Sequence, residues 1–170
     1  MKVEASEIDR EALKALLMAQ YSLAVHSLHF WPQGEECYGY AIRTSDKGSY
    51  FAKLYDDDAW RPPNLETTMA ATFRLHNECG LTFVVPALPG ENGRFLQDFS
   101  HYNLMLFPYI AGTLISETEG QFIVAGALPA VDALDRVAHL VARLHDSLPC
   151  SGLTIDKPFY PTVDWRPSLN

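Results

Sequence analysis

The spacing of apolar positions alternates between a helical period and a two-residue period along the chain. Apolar residues recur at helical spacing over residues 6–20, where Ser6 followed by Asp9 is the pattern of a capping residue answered three positions later. A second helix is predicted over residues 64–78, with Asn64 as its cap and Gly80 closing it. Proline at the first turn and a further apolar stripe predict a third helix over residues 129–145.

Between the first two predicted helices, apolar and polar residues alternate with a period of two, which is typical of half-buried strands. Alternation predicts strands at residues 25–30, 38–43 and 49–55 that form an antiparallel meander. After the second helix, residues 83–88 are expected to be extended. Strands are predicted at residues 94–98 and 103–110, the latter an almost continuous apolar run suited to a buried position. This order predicts an α+β fold whose antiparallel sheet of about five strands occupies the first two thirds of the chain.

Composition and charge narrow the function classes. The chain has 170 residues, of which 48% are apolar and 20% charged, so it belongs to the globular class. Its net charge of −8 argues against nucleic acid or an anionic membrane as the main partner. The three cysteines have no CxxC spacing, so neither a disulfide framework nor a zinc site is expected. No apolar run is long enough to span a bilayer, and we expect a cytoplasmic protein.

Lys53 is the one lysine inside a predicted apolar strand. The two-residue period of a strand places Lys53 on the same face as Phe51, so the lysine ammonium lies beside an apolar aromatic ring. Either the lysine stem lies over the sheet with its ammonium in solvent, or the ammonium contacts a phosphate and is held by a carboxylate. Glu66, in the first turn of the next helix, is the candidate for that carboxylate. An acid at this place is also favourable through the helix dipole alone.

The segment 104–112 is the most specific in the chain. A buried strand stops at Pro108, continues through two further apolar residues and reaches Gly112. The carbonyl of Pro108 and the N–H of Ile110 suit the acceptor and donor that an adenine edge requires, and proline fits the first position because only its carbonyl is needed. The alternative is an interior strand followed by an ordinary turn.

Taken together, these segments resemble a known family, the aminoglycoside phosphotransferase and choline kinase-like phosphotransferases, whose fold is protein-kinase-like. The resemblance is carried by Tyr-Phe-Ala-Lys-Leu-Tyr at residues 50–55, by Leu-Phe-Pro-Tyr-Ile-Ala-Gly at residues 106–112, and by Arg-Leu-His at residues 143–145. It is strongest to the spectinomycin phosphotransferase-like members. It covers essentially the whole chain, but only the amino-terminal half of such an enzyme.

The resemblance implies a domain division and a cofactor. Residues 1–107 would form the nucleotide-binding lobe, residues 108–112 the hinge, and residues 113–170 the start of an incomplete carboxyl-terminal lobe. ATP would be the cofactor, with Mg²⁺ in a complete enzyme. Lys53 would then contact the α- and β-phosphates and Glu66 would orient it.

Further nucleotide-binding positions follow from the same resemblance. Phe51 would lie over the adenine, and Phe107, in the hinge segment, would be a further nucleotide-binding residue. The backbone from Pro108 to Ile110 would bind the adenine edge. The turn around Gly34 would cover the phosphates, although it holds one glycine and two acids where backbone N–H groups should approach.

One departure from the family governs the expected function. The family uses a His-x-Asp catalytic loop and a further metal-binding Asp, and this sequence contains no His-x-Asp. We therefore assign no catalytic or metal-binding residue. We expect the ATP-binding part of a small-molecule phosphotransferase, acting on an antibiotic or choline-type hydroxyl, that is inactive alone. The alternative is a non-catalytic nucleotide-binding or protein-interaction module. We expect adenine nucleotide as a partner, a small-molecule acceptor only if a carboxyl lobe is supplied, and self-association through the last helix.

Overall fold

A computed structural model describes residues 3–32, 37–56, 65–111, 115–118, 121–124 and 130–147. The first helix, α1, spans Arg10–Tyr21. The Asp9 carboxylate caps it by accepting hydrogen bonds from the backbone N–H groups of Glu11 and Ala12. The prediction of Ser6 as the cap was therefore wrong, because Asp9 is itself a capping residue and the helix begins after it. The helix ends at Ser22, which adopts a left-handed conformation with φ 54°.

A five-stranded antiparallel sheet forms the centre of the fold. Its spatial order is β1-β2-β3-β5-β4, so α2 and the segment after it separate two strands that lie side by side in the sheet. This confirms the predicted α+β fold with about five strands. The strands and the second helix are β1 (Val25–Trp31), β2 (Cys37–Thr44), β3 (Ser49–Asp56), α2 (Leu65–Asn77), β4 (Gln97–Phe99) and β5 (Tyr102–Pro108).

Three local predictions differ from the structure. The segment 83–88 begins as a turn, in which the Val84 N–H donates to the Leu81 carbonyl at 2.9 Å, and only Leu88 pairs with the sheet. The strand predicted at residues 94–98 begins later, at Gln97, because a turn precedes it. A separate hairpin, formed by β6 (Ile115–Thr118) and β7 (Gln121–Val124), lies between β5 and the last helix, where no strand was predicted.

The main core lies between α1 and one face of the sheet. Leu13 and Leu17 of the helix are fully buried against it. The sheet contributes Tyr40, Ile42, Ala52, Leu54, Leu104 and Leu106 to this core. A smaller cluster of Tyr55, Leu96 and Met105 lies on the other face, packed against Leu65 and Met69 of α2. Each face of the sheet is thus packed against a different helix.

The last described helix, α3, spans Ala130–Ser147 and agrees closely with the prediction. The Arg143 guanidinium lies over the Phe83 ring, 5.2 Å from its centroid, which attaches this helix to the segment after α2. No described helix is long and apolar enough to cross a membrane. Cys37 is a free thiol, whereas Cys79 is disulfide-bonded, which the cysteine spacing did not lead us to expect.

Candidate functional site

Three predicted site residues, Phe51, Lys53 and Phe107, share the α2 side of the sheet, in two rows that cross adjacent strands. One row runs from Ala41 through Phe51 to Phe107, because the backbone register pairs these residues directly. The neighbouring row runs from Gly39 through Lys53 to Met105. Side chains two residues apart on a strand share a face, so both rows lie on one surface. We call this surface the lysine face.

The Lys53 side chain reaches from its own row to the Phe107 ring in the neighbouring row. Its ammonium lies 5.3 Å from the centroid of the Phe107 ring, within the range of a cation–π contact. Among the described residues, no carboxylate forms an ion pair with it. The aromatic ring therefore holds the charge against the sheet at the place where β5 approaches the hinge.

Glu66 does not make the contact predicted for it. Its carboxylate accepts hydrogen bonds from two consecutive backbone groups, the Phe95 N–H at 2.6 Å and the Leu96 N–H at 3.1 Å. Such charge-assisted bonds are stronger than neutral ones, and they join the first turn of α2 to the segment before β4. The predicted ion pair between Glu66 and Lys53 is thus replaced in this structure by a backbone clamp.

Phe51 lies against a strand position that has no side chain. A Cβ built on Gly39 would lie 2.8 Å from the Phe51 Cζ atom, closer than real Cβ contacts come. Glycine at this place lets the ring rest directly on the backbone of β2. The ring therefore forms a flat apolar surface beside Lys53.

The hinge begins where β5 ends. The Leu106 carbonyl accepts from the Leu88 N–H at 2.7 Å, and the Tyr109 N–H donates to the Ser49 carbonyl at 3.1 Å. Backbone groups alternate in direction along a strand, so the Pro108 carbonyl projects from the same edge as that of Leu106, away from β3. The exposed Ile110 follows it, in the spacing required for an acceptor and a donor.

A small cavity opens on the lysine face beside the hinge. It has a volume of about 230 Å³. Within its wall, the Arg43 Nη1 atom donates to the Ser49 Oγ at 3.2 Å. Sequence reasoning did not single out these residues, although the two-residue period of β1 and β2 already places several of them on the face of Lys53. The cavity is lined by Ser27, His29, Trp31, Ala41, Ile42, Arg43, Ser49 and Tyr109.

Gly34 and the expected Mg²⁺ ion are the remaining parts of the predicted site. Gly34 lies outside the described residues. Within the described part of the chain, no group of three or more His, Cys, Asp or Glu side chains is arranged to hold a metal ion. The described residues therefore do not fit Mg²⁺ by themselves. What the lysine face offers around Lys53 is its ammonium, the Phe51 and Phe107 rings and the backbone polar groups of the hinge.

Comparison with known proteins identifies the class of fold. No family model matches the chain, and no curated protein matches it. Solved structures do match, and they show that the chain has the α+β fold of a kinase-like amino-terminal lobe.

One match is the crystal structure of spectinomycin phosphotransferase APH(9)-Ia in complex with ADP and spectinomycin, with a TM-score of 0.51 and 20% identity over 65% of this chain and 32% of that chain. Another is amicoumacin kinase hAmiN in complex with AMP-PNP, Ca²⁺ and Ami, with a TM-score of 0.50 and 15% identity over 65% of this chain and 34% of that chain. The chain thus spans about a third of the length of these structures. The fold likeness confirms the resemblance to aminoglycoside phosphotransferase-like proteins.

Proposed function

We propose that this chain is the ATP-binding, amino-terminal part of a small-molecule phosphotransferase. The observation that carries the proposal is the lysine face, where Lys53 lies against the Phe107 ring and Phe51 lies beside it, next to the start of the hinge. A cavity of about 230 Å³, lined in part by Ala41 and Tyr109, opens on the same face. The likeness to antibiotic phosphotransferases solved with adenine nucleotides supports it. In this proposal residues 1–107 form the nucleotide-binding lobe, residues 108–112 the hinge, and residues 113–170 the start of the carboxyl-terminal lobe.

Each part of the site has a separate task. The Pro108 carbonyl and the Ile110 N–H bind the adenine edge, while Phe51 and Phe107 cover its apolar surface. Lys53 exchanges its contact with the Phe107 ring for the nucleotide phosphates, because a full ionic partner attracts an ammonium more strongly than an aromatic ring does.

Glu66 acts indirectly in this account. By clamping the backbone at Phe95 and Leu96, it fixes α2 against the sheet. Phe107 packs against the smaller core cluster beneath the helix, which contains Leu96, so the clamp supports the ring that holds Lys53. Gly34 keeps the role that the resemblance gives it, in the turn over the phosphates.

We further propose that the 170-residue chain alone does not transfer phosphate. In-line transfer needs a positioned base and a metal ion that neutralises the developing charge. The sequence has no His-x-Asp, and the described residues hold no metal cluster. Transfer to an antibiotic or choline-type hydroxyl therefore requires a carboxyl-terminal lobe. The missing catalytic loop is also the observation that favours the second candidate, a non-catalytic nucleotide-binding or protein-interaction module.

Calorimetric titration with ATP tests nucleotide binding, and Lys14 supplies a matched control. The wild-type chain should bind with a dissociation constant of about 1 mM or weaker, since the lower wall of the cleft belongs to the carboxyl lobe. Lys53→Ala should weaken binding further. Lys14→Ala, which removes a lysine from the surface of α1 where it pairs with Glu11, should leave binding unchanged. Equal affinity in wild type and Lys53→Ala would contradict the proposed site.

Radiolabelled ATP separates the two candidate functions. The chain is assayed with spectinomycin, other aminoglycosides and choline, with and without a separately expressed carboxyl lobe that bears the catalytic loop. A part of an enzyme should gain activity only when that lobe is added. Binding of ATP with no transfer in either condition supports the non-catalytic module. Transfer by the isolated chain that disappears in Lys53→Ala would contradict the proposed inactivity.

A further inference from the structure

The proposed function assigns no task to the side chains that line the cavity of about 230 Å³ on the lysine face. Adenine is assigned there to the hinge backbone and to the Phe51 and Phe107 rings. The cavity lies on the β1 and β2 side of Phe51, because Ala41 in its wall pairs with Phe51 of β3 and with His29 of β1. Ala41 has only a methyl side chain, so a depression remains between its larger neighbours.

One wall of the cavity is a row of polar side chains that crosses three strands. The register pairs Arg43 of β2 with Ser27 of β1 and with Ser49 of β3, so the three residues are direct cross-strand neighbours. Residues directly opposite each other have Cβ atoms about 4.5–5.5 Å apart. The Tyr109 N–H donates to the Ser49 carbonyl at 3.1 Å, so the hinge continues the row. Arg43 therefore lies between two serines at the edge of the depression.

No carboxylate among the described residues neutralises the charge of Arg43. Its side chain is exposed, and its Nη1 atom donates to the neutral Ser49 Oγ at 3.2 Å. The ion pairs within the described part of the chain do not include it. No Asp or Glu is among the described residues that line the cavity, although the whole chain has a net charge of −8. The guanidinium has five N–H donors, so this wall favours an anionic ligand.

The rest of the wall favours a flat apolar body of limited size. The aromatic side chains of Trp31 and Tyr109 line the cavity and remain 38% and 41% exposed. The volume is below the range of about 300–1,000 Å³ that is usual for drug-sized ligands, so a single ring with a small substituent fits best. A planar guanidinium forms two parallel hydrogen bonds with a carboxylate, which makes a carboxylate the best matched substituent.

We propose that this cavity binds a small aromatic carboxylate. The Arg43 guanidinium binds the carboxylate, the hydroxyls of Ser27 and Ser49 donate further hydrogen bonds to it, and Trp31 and Tyr109 contact the ring. None of these side chains is assigned to the nucleotide. The site is therefore tested without nucleotide, and its failure leaves the proposed function unaffected.

Benzoate is the probe that tests the site, followed by the backbone amide NMR signals of the isotope-labelled chain at constant ionic strength. We expect shifts at Ala41, Arg43 and Ser49 that follow one binding curve, with a dissociation constant of about 1–10 mM for a ligand of this size. Acetate, benzyl alcohol and benzylamine are matched ligands: the first lacks the ring, the second is neutral, and the third is cationic. Each should bind more weakly than benzoate. The ligand series needs no variant and so gives a result even where a substitution unfolds the chain.

Two variants test the assignment of the carboxylate to Arg43. Arg43→Gln removes the charge and should weaken benzoate binding about tenfold or more, as expected for hydrogen bonds between charged groups. Arg94→Gln removes an exposed arginine that lies outside the cavity and pairs with Asp98 at 3.3 Å, and should have no effect. The proposal is overturned if benzoate gives no concentration-dependent shifts around the cavity, if acetate or benzyl alcohol binds as well as benzoate, or if Arg43→Gln binds benzoate like wild type.

Discussion

The two faces of the five-stranded sheet are built for different purposes. On the α1 face, Leu17, Leu54 and Leu104 are fully buried. On the lysine face, Phe51 and Lys53 are only half-buried, and α2 covers the part of the sheet next to Tyr55 and Met105. A face closed by a helix contributes apolar burial to stability, whereas a partly open face keeps its polar and aromatic groups accessible to a ligand.

The polar side chains of the two faces also differ in their hydrogen-bond and ionic partners. On the closed face the Tyr40 hydroxyl donates to Glu4 at 2.8 Å and the Tyr102 hydroxyl donates to Glu7 at 3.1 Å, so the segment before α1 is fixed to the sheet. The Arg10 guanidinium bonded to Glu4 lowers the pKa of that carboxyl. On the lysine face the ammonium of Lys53 has an aromatic ring instead of an anion. An anionic ligand is thus expected at the lysine face and not at the closed face.

The largest predicted effect is on the closed face. Leu17→Ala removes a fully buried side chain and should lower the free energy of unfolding by about 2–5 kcal/mol, from lost apolar transfer and the cavity left behind. Chemical denaturation measures this loss. The control is Met18→Ala on the exposed side of the same helix, which should change stability by about 0.5 kcal/mol or less. Equal losses in both variants would contradict the assignment of the buried face.

A smaller effect is expected where α2 joins the sheet. Glu66→Gln keeps the shape but removes the charge of the backbone clamp, and should cost about 1–3 kcal/mol. Combining it with Lys53→Met in a double-mutant cycle separates the two accounts of Glu66. The backbone clamp predicts a coupling energy near zero between the two residues. A coupling of about 1 kcal/mol or more would indicate the direct ion pair that sequence reasoning predicted.

The contact between Phe51 and Gly39 provides a third test. Gly39→Ala places a Cβ against the ring and should lower stability by about 1–3 kcal/mol, because the ring or the strand must move. In the background of Phe51→Leu, which lacks the ring edge, the same substitution should cost clearly less. An equal cost in both backgrounds, measured by denaturation, would show that the ring does not rest on the glycine.

The smallest predicted effect concerns pH and the closed face. Burial, reinforced by the bond to Glu4, raises the pKa of Tyr40 above its usual value of 10.0. Its contribution to stability is therefore complete below pH 10 and is lost as the pH rises toward the higher pKa of the folded state. Thermal unfolding of wild type should show a steeper decline above pH 10 than that of Tyr40→Phe. Parallel curves would contradict this role for Tyr40.

Sequence patterns predicted the parts of the fold that depend on local period. β2, β3 and β5 were found because alternation or a continuous apolar run is visible over seven or eight residues. The hairpin of β6 and β7 was missed because each strand has only four residues, too few for a clear period. The helix cap was misplaced because both Ser6 and Asp9 have side chains that can cap.

The site contacts that sequence patterns did not predict join residues that are far apart along the chain. That Phe51 and Lys53 share a face follows from the period alone. The contact of Lys53 with Phe107 depends on the register between β3 and β5, which α2 and β4 separate along the chain. The partner of Glu66 depends on the path of the backbone at Phe95 and Leu96, which no local pattern specifies.

Backbone amide NMR during titration with ADP tests most directly that the lysine face, and not the α1 face, binds nucleotide. The account predicts saturable shifts that are concentrated at Phe51, Lys53 and Ile110, with little change at Leu13 and Leu17 of α1. A dissociation constant in the millimolar range, obtained from these shifts, agrees with the account. Shifts concentrated along α1, or no shift at the hinge that grows with nucleotide concentration up to about 10 mM, would contradict it.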